Sequence, residues 1–177
     1  MNRKLSLDEL NRLSVEEFKS VDKNKVIIIL DNISSKHNVG SVFRTADAFR
    51  VQKLILGGFT PCPPDRDIRK TAIGASETVD WQHVENVVEF VTQQQSLGYK
   101  IVVLEQTENS VSLELCELSI DDKLCLVLGN EVGGVDQQII DTADLCIEIP
   151  QYGTKHSLNV SVCAGVVLWE LNRNKIT

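Results

Sequence analysis

The sequence has no Cys-x-x-Cys pair and no His-x-x-x-His, so the usual zinc spacings are missing and no metal is expected. Its five cysteines (Cys62, Cys116, Cys125, Cys146 and Cys163) are scattered and odd in number, which argues against a disulfide framework and reads as reduced thiols. Cys125 and Cys146 sit inside apolar runs, which predicts burial. Long apolar runs are absent too. Val26 to Leu30 is typical of them and is far too short to span a bilayer, so no membrane partner is expected. The first residues, Met-Asn-Arg-Lys-Leu-Ser-Leu-Asp-Glu, hold no apolar signal region, and a cytoplasmic location is the default expectation. No Gly-x-Gly-x-x-Gly follows the first strand, no Gly-Lys-Ser/Thr closes a phosphate loop, and no Gly-x-Ser-x-Gly elbow is present. These absences weigh against Rossmann-type enzymes, P-loop enzymes and serine hydrolases. There is no internal repeat, low-complexity tract or linker.

What is present is ordinary in bulk. A chain of 177 residues, 42% hydrophobic and 24% charged, suits one domain with its own core. The net charge of −7 is awkward for a nucleic-acid binder, because phosphate contacts dominate such affinity. A local basic patch is compatible with an acidic whole. Arg66, Arg69 and Lys70 form one candidate, Lys155 with His156 another; the competing reading is solvated surface charge.

Two helix starts stand in series at the N-terminus. Ser6-Leu7-Asp8-Glu9 and Ser14-Val15-Glu16-Glu17 are both capping boxes, flanked by Leu5/Leu10 and Leu13/Phe18 as hydrophobic staples. Residues 1–25 therefore read as a short helical extension, and 26–177 as the main domain. Val26-Ile27-Ile28-Ile29-Leu30 is a β-branched run typical of a strand buried on both faces. Further strands are expected at Lys53–Leu56, Thr78–Val84, Lys100–Leu104, Leu124–Leu128 and Leu145–Ile149. Helices are expected from Val39, over Asp67–Ile73, Glu85–Leu97, Asp136–Thr142 and Asn159–Asn172. This alternation predicts an α/β fold with a mainly parallel sheet and helices on both faces. The last helix is apolar on nearly every side, which predicts a partner chain, and a homodimer through this C-terminal helix is expected.

Three segments share a strand–loop–helix design that places polar side chains at the carboxyl edge of the sheet, where α/β proteins bind ligands. In Asn38-Val39-Gly40-Ser41-Val42-Phe43-Arg44-Thr45-Ala46, Asn38 is either a helix cap or a site residue. Arg44 either pairs with Asp47 or holds a phosphate through its planar fork. In Leu128-Gly129-Asn130-Glu131-Val132-Gly133-Gly134, Glu131 either satisfies backbone amides or faces a ligand. In Ile149-Pro150-Gln151-Tyr152-Gly153-Thr154-Lys155-His156-Ser157-Leu158-Asn159, Ser157 or Asn159 either caps the last helix or serves a site.

Taken together, these segments resemble the three ordered motifs of the SpoU (TrmH) family of RNA ribose 2′-O-methyltransferases, in the SPOUT class. The resemblance runs from Val26 to Arg173. It implies a C-terminal trefoil knot, which no periodicity in the residues would show. It implies S-adenosylmethionine bound in that knot, here against Leu104, Gly129, Ile149, Ser157 and Leu158. Dimerisation through the last helix is a property of the family as well. Arg44 matches the arginine placed at the reacting ribose hydroxyl, acting as general base or as an electrostatic clamp on phosphate and developing alkoxide. Asn38, Glu131, Ser157 and Asn159 would orient the loops and the ribose.

The sequence departs from the family at Gln151, where Met is usual, and at Cys163, where a small residue is common. It also has no long basic extension. Glu105-Gln106-Thr107 and Trp169-Glu170-Leu171 resemble branches that methylate a D-loop guanosine in tRNA, which ranks tRNA ahead of rRNA. The competing classes are a non-catalytic RNA-binding module on the same fold and a protein methyltransferase.

Overall fold

The structure, a computed structural model, describes residues 2–6 and 8–173. Leu7 of the first predicted capping box and residues 174–177 of the predicted main domain lie outside the described residues. The first box makes only a 3₁₀ turn, Asp8–Leu10, with the Ser6 N–H donating to Glu9 at 2.7 Å. The second makes a true helix, α1 (Val15–Ser20). Ser14 caps it reciprocally with Glu17, and it plants Phe18 in the core.

Among the described residues seven strands follow: β1 (Val26–Asp31), β2 (Lys53–Gly57), β3 (Trp81–Val84), β4 (Lys100–Leu104), β5 (Val111–Ser112), β6 (Leu124–Leu128) and β7 (Leu145–Glu148). They form one sheet in the order β3-β2-β1-β6-β4-β7-β5, and every pairing is parallel. Residue Ile28 sits between Leu54 and Leu126, and all three are fully enclosed.

The period of two sorts the strand side chains onto two faces. Val26, Ile28 and Leu30 join a core with Leu124, Leu126 and Leu128 under α2 (Lys36–Ala48), α3 (Arg66–Ala72), α4 (Ala75–Thr78) and α7 (Val160–Arg173). Ile27, Ile29, Cys125 and Val127 face α5 (Val87–Ser96) and α6 (Gln137–Thr142). Helices therefore cover both sides, as a parallel sheet requires. Among the described residues no helix is long and apolar enough to cross a membrane.

Several local expectations need correction. Thr78–Val84 is not one strand, because Ala75–Thr78 closes a helical turn before β3 starts at Trp81. β5 is only two residues long, too short for any periodicity to reveal. The helix expected from Val39 begins earlier, at Lys36, because Ser35 is its cap and accepts the Asn38 N–H at 3.3 Å. Asn38 is thus not the cap, and its side chain is left for another use. Arg44 does not pair with Asp47, which instead accepts the Thr78 hydroxyl. Cys125 is buried, and burial pushes its thiol up to about 12. Cys146 is only half-buried, since β7 lies near the sheet edge.

Gly40 fixes how α3 meets α2. A Cβ there would lie 2.1 Å from the Thr71 hydroxyl and 2.3 Å from the Ile68 carbonyl oxygen. Only glycine permits this approach, which locks α3 beside the first turns of α2.

Candidate active site

The carboxyl ends of β1, β6, β4 and β7 are adjacent in the sheet, and each releases a loop. The loop after β6 folds back on itself. Asn130 and Gly134 exchange two backbone hydrogen bonds of 3.0 Å, and the Asn130 side chain accepts the Val132 and Gly133 N–H groups at 2.9 Å each. A Cβ on Gly129 would stand 2.2 Å from the Gly134 carbonyl carbon, so the turn closes only over glycine. The tip is held from two sides. Asn130 donates to the Asn32 carbonyl at 2.7 Å, and Glu105, just past β4, accepts the Val135 N–H at 3.2 Å. Gln106 then reaches the third loop, donating to the His156 carbonyl at 2.8 Å.

The three sequence segments meet through one chain of side chains. Glu131 accepts from the Ser34 N–H (3.0 Å), the Ser34 hydroxyl (2.9 Å), the Ser35 N–H (3.2 Å) and the Asn38 amide (2.8 Å). The Asn38 oxygen in turn accepts the Asn159 amide at 3.0 Å. Asn159 also accepts the Ser161 N–H at 2.9 Å and the Ser161 hydroxyl at 2.7 Å. Asn159 therefore covers the first turn of α7, as the capping expectation had it, and also ties that turn to α2.

Burial alone would raise the Glu131 carboxyl, but the hydrogen bonds from Ser34 and Asn38 outweigh it and bring it down to about 2 from an ordinary 4.5. A depressed carboxyl contributes stability that is present above the unfolded value and lost as pH falls through the folded one. The junction should thus be intact at pH 5 and above, weaken from about 4.5 and be lost near 2. A melting series between pH 6 and 2 checks this. In Glu131→Gln the part of the acid destabilisation due to this site should be absent; an unchanged profile in that variant would contradict the assignment.

Beside the junction opens a cleft of about 430 Å³. All five residues expected at a cofactor line it: Leu104, Gly129, Ile149, Ser157 and Leu158. Glu131 and Asn159 line it too, while Asn38 stands behind them through its two hydrogen bonds. Arg44 is not in the lining. It projects exposed from α2, and among the described residues its side chain has no ion pair or hydrogen bond. Among the described residues Ser157 Oγ has no hydrogen bond to a histidine, so no nucleophile–base pair is assembled there. Burial raises the Cys163 thiol, which makes it a protonated wall of the cleft rather than a nucleophile.

Sequence reasoning missed Ser34, which donates twice to Glu131, and Ser35, the actual cap. Ser35 had a signal, since it precedes Asn38 by three residues in cap spacing. Ser34 had none. Among the described residues no group of three or more His, Cys, Asp or Glu is placed to hold a metal ion.

Comparison with known proteins adds an independent view. Residues 25–169 match the SpoU rRNA Methylase family. The chain is 31% identical to 23S rRNA (guanosine-2′-O-)-methyltransferase RlmB of Neisseria meningitidis, over 94% of its own length and 66% of that protein's. It is 29% identical to tRNA (guanosine(18)-2′-O)-methyltransferase TARBP1 of Mus musculus, over 86% of its length but 10% of that protein's. The chain thus spans about two thirds of the first relative and a small part of the second. Its fold superposes on the crystal structure of an A. aeolicus TrmH/SpoU tRNA modifying enzyme with a TM-score of 0.81 and 29% identity, covering 92% of this chain and 81% of that one. An AdoMet-bound rRNA methyltransferase from Sinorhizobium meliloti gives a TM-score of 0.80 at 24% identity, covering 90% and 61%.

Proposed function

The chain belongs to the SpoU rRNA methylase family, and from that premise we propose that it is an S-adenosylmethionine-dependent RNA ribose 2′-O-methyltransferase. One observation carries the reading: the Glu131–Asn38–Asn159 chain joins all three segments at the rim of a single cleft.

The cleft suits the donor. Its volume falls within the range of small-molecule sites, Leu104, Leu128, Ile149 and Leu158 provide apolar walls, and three strand ends bring main-chain groups to it. When bound, the donor would supply a methyl carbon on a sulfonium; as a ribose 2′-oxygen takes that methyl, the S–C bond would break to leave a neutral thioether and the hydroxyl proton would pass to solvent. Leu104, Gly129, Ile149, Ser157 and Leu158 hold it. Glu131 and Asn38 set the loops, and Asn159 with Ser157 orients the ribose at the cleft mouth. Arg44 faces the RNA, where its fixed charge holds a phosphate and lowers the cost of negative charge on the 2′-oxygen. Because the methyl group arrives activated, positioning supplies much of the rate.

The finer features of the family are part of the same proposal. β6 enters between β1 and β4, β7 lies beyond β4, and the chain then returns to pack α7 on α2. We read this crossing as the trefoil knot. Val162, Val166 and Trp169 are exposed at i, i+4 and i+7 on α7 and form the stripe for a second copy. For substrate, the resemblance of Glu105-Gln106-Thr107 to branches acting on a D-loop guanosine and the similarity to TARBP1, named for a tRNA guanosine, favour a guanosine of the tRNA D-loop, while the similarity to RlmB favours rRNA. Labelled donor with purified tRNA and rRNA, followed by nucleotide mapping, tests this. Label at a tRNA guanosine is expected. Label in rRNA alone would move the substrate to the second class, and label in neither would sink the reading.

A further inference from the structure

The negative charge of the chain is unevenly spread. Residues 36–70 hold seven Lys/Arg (Lys36, Arg44, Arg50, Lys53, Arg66, Arg69, Lys70) against three Asp, a balance of +4. The rest, with 11 Lys/Arg and 22 Asp/Glu, carries −11. Two of the three aspartates in the basic segment are engaged. Asp65 caps α3 through the Asp67 and Ile68 N–H groups and pairs with Lys36 at 2.9 Å, and Asp47 accepts the Thr78 hydroxyl. Arg66, Arg69 and Lys70 are exposed on α3, and among the described residues none of them has an ion pair or side-chain hydrogen bond.

The fold aims the part of this charge that lies on α3, while Arg50 and Lys53 stand at the amino end of β2. Thr71 donates to the His37 carbonyl at 3.1 Å, and the bare Gly40 lets α3 touch α2. Thr78 then anchors α4 at Asp47. The Ile73–Gly74 turn connects these two anchors, and Arg44, four residues after Gly40 and three before Asp47, falls between them on the same flank of α2. The positive end of α3 therefore leads to Arg44.

We propose that Arg66, Arg69 and Lys70 form a phosphate track that holds the RNA backbone leading to the target nucleotide at Arg44. This rests on the methyltransferase reading and deepens it: the track explains how an acidic chain grips an anionic substrate. The three cations contact phosphates and not bases, so they supply affinity rather than sequence choice.

The test is the full chain with Arg66→Gln, Arg69→Gln and Lys70→Gln combined, compared with Lys25→Gln, Arg50→Gln and Lys100→Gln, which remove equal charge near the opposite edge of the sheet. For the α3 variant, the slope of log affinity for substrate RNA against log salt should fall by about 2 to 3, and KM for RNA should rise about tenfold or more. Its kcat at saturating RNA and its calorimetric affinity for S-adenosylmethionine should stay within about twofold of wild type. The opposite-edge variant should show a much smaller slope change. An α3 variant with unchanged slope and KM beside an active wild type would overturn the track and leave these cations as solvated charge. Equal effects in both variants would overturn it too, assigning the loss to net charge. A wild type that methylates no RNA would instead sink the underlying reading.

Discussion

Arg44→Ala is expected to lower kcat for methyl transfer to RNA by about 10²–10³-fold or more, with fold and donor affinity intact. The separation follows from where Arg44 sits. Its side chain is exposed on α2 and, among the described residues, supports no ion pair or hydrogen bond, so its removal should change stability by less than about 0.5 kcal/mol. It also lies outside the lining of the cleft, so donor binding has no reason to weaken. In the proposed function its partner is the substrate RNA. Arg44→Lys should recover only part of the loss, because an ammonium keeps the charge but not the planar fork. Single-turnover rates with saturating RNA, together with melting and donor titration, check the split. Near wild-type turnover in Arg44→Ala would remove this residue from the chemistry.

Glu131→Ala should be as damaging by a different route. Its carboxylate is the shared acceptor for Ser34, Ser35 and Asn38, and Asn38 is the acceptor for Asn159. Removing it cuts the tie between the first two loops and leaves Asn38, which holds Asn159, without its own anchor. These groups are near solvent and water replaces part of what is lost, so the stability cost should be about 1 kcal/mol, or 2–4 °C in Tm. The kinetic cost should be far larger, about 10²-fold in kcat, because misplacing the reacting groups by an ångström is enough. Glu131→Gln, whose amide keeps one acceptor oxygen, should fall between. A large loss of Tm with unchanged kcat would instead make Glu131 a purely structural residue.

The sheet was legible because its strands are short β-branched or leucine-rich runs whose burial on both faces leaves no alternative reading. Val26–Leu30 and Leu124–Leu128 are the clearest cases. The site was legible as three separate turns, each with two uses still open. Long-range geometry closed those choices: Ser35 took the cap, which released Asn38 toward Glu131, and Thr78 took Asp47, which left Arg44 free. The cap is local, but Glu131 lies 93 residues from Asn38 and Thr78 lies 31 from Asp47. Ser34 and the two-residue β5 carried no local signal, and the packing of α3 on Gly40 depends on an atom that is not there.

In the proposed function, the cleft joined by Glu131, Asn38 and Asn159 directs a methyl group onto a ribose 2′-oxygen. The most direct measurement is alkaline hydrolysis of RNA labelled by this protein from a methyl-tritiated donor. A 2′-O-methyl group removes the hydroxyl that alkali uses, so label should be recovered in alkali-resistant dinucleotides. Label recovered only in ordinary mononucleotides would place the methyl group on a base and contradict the account.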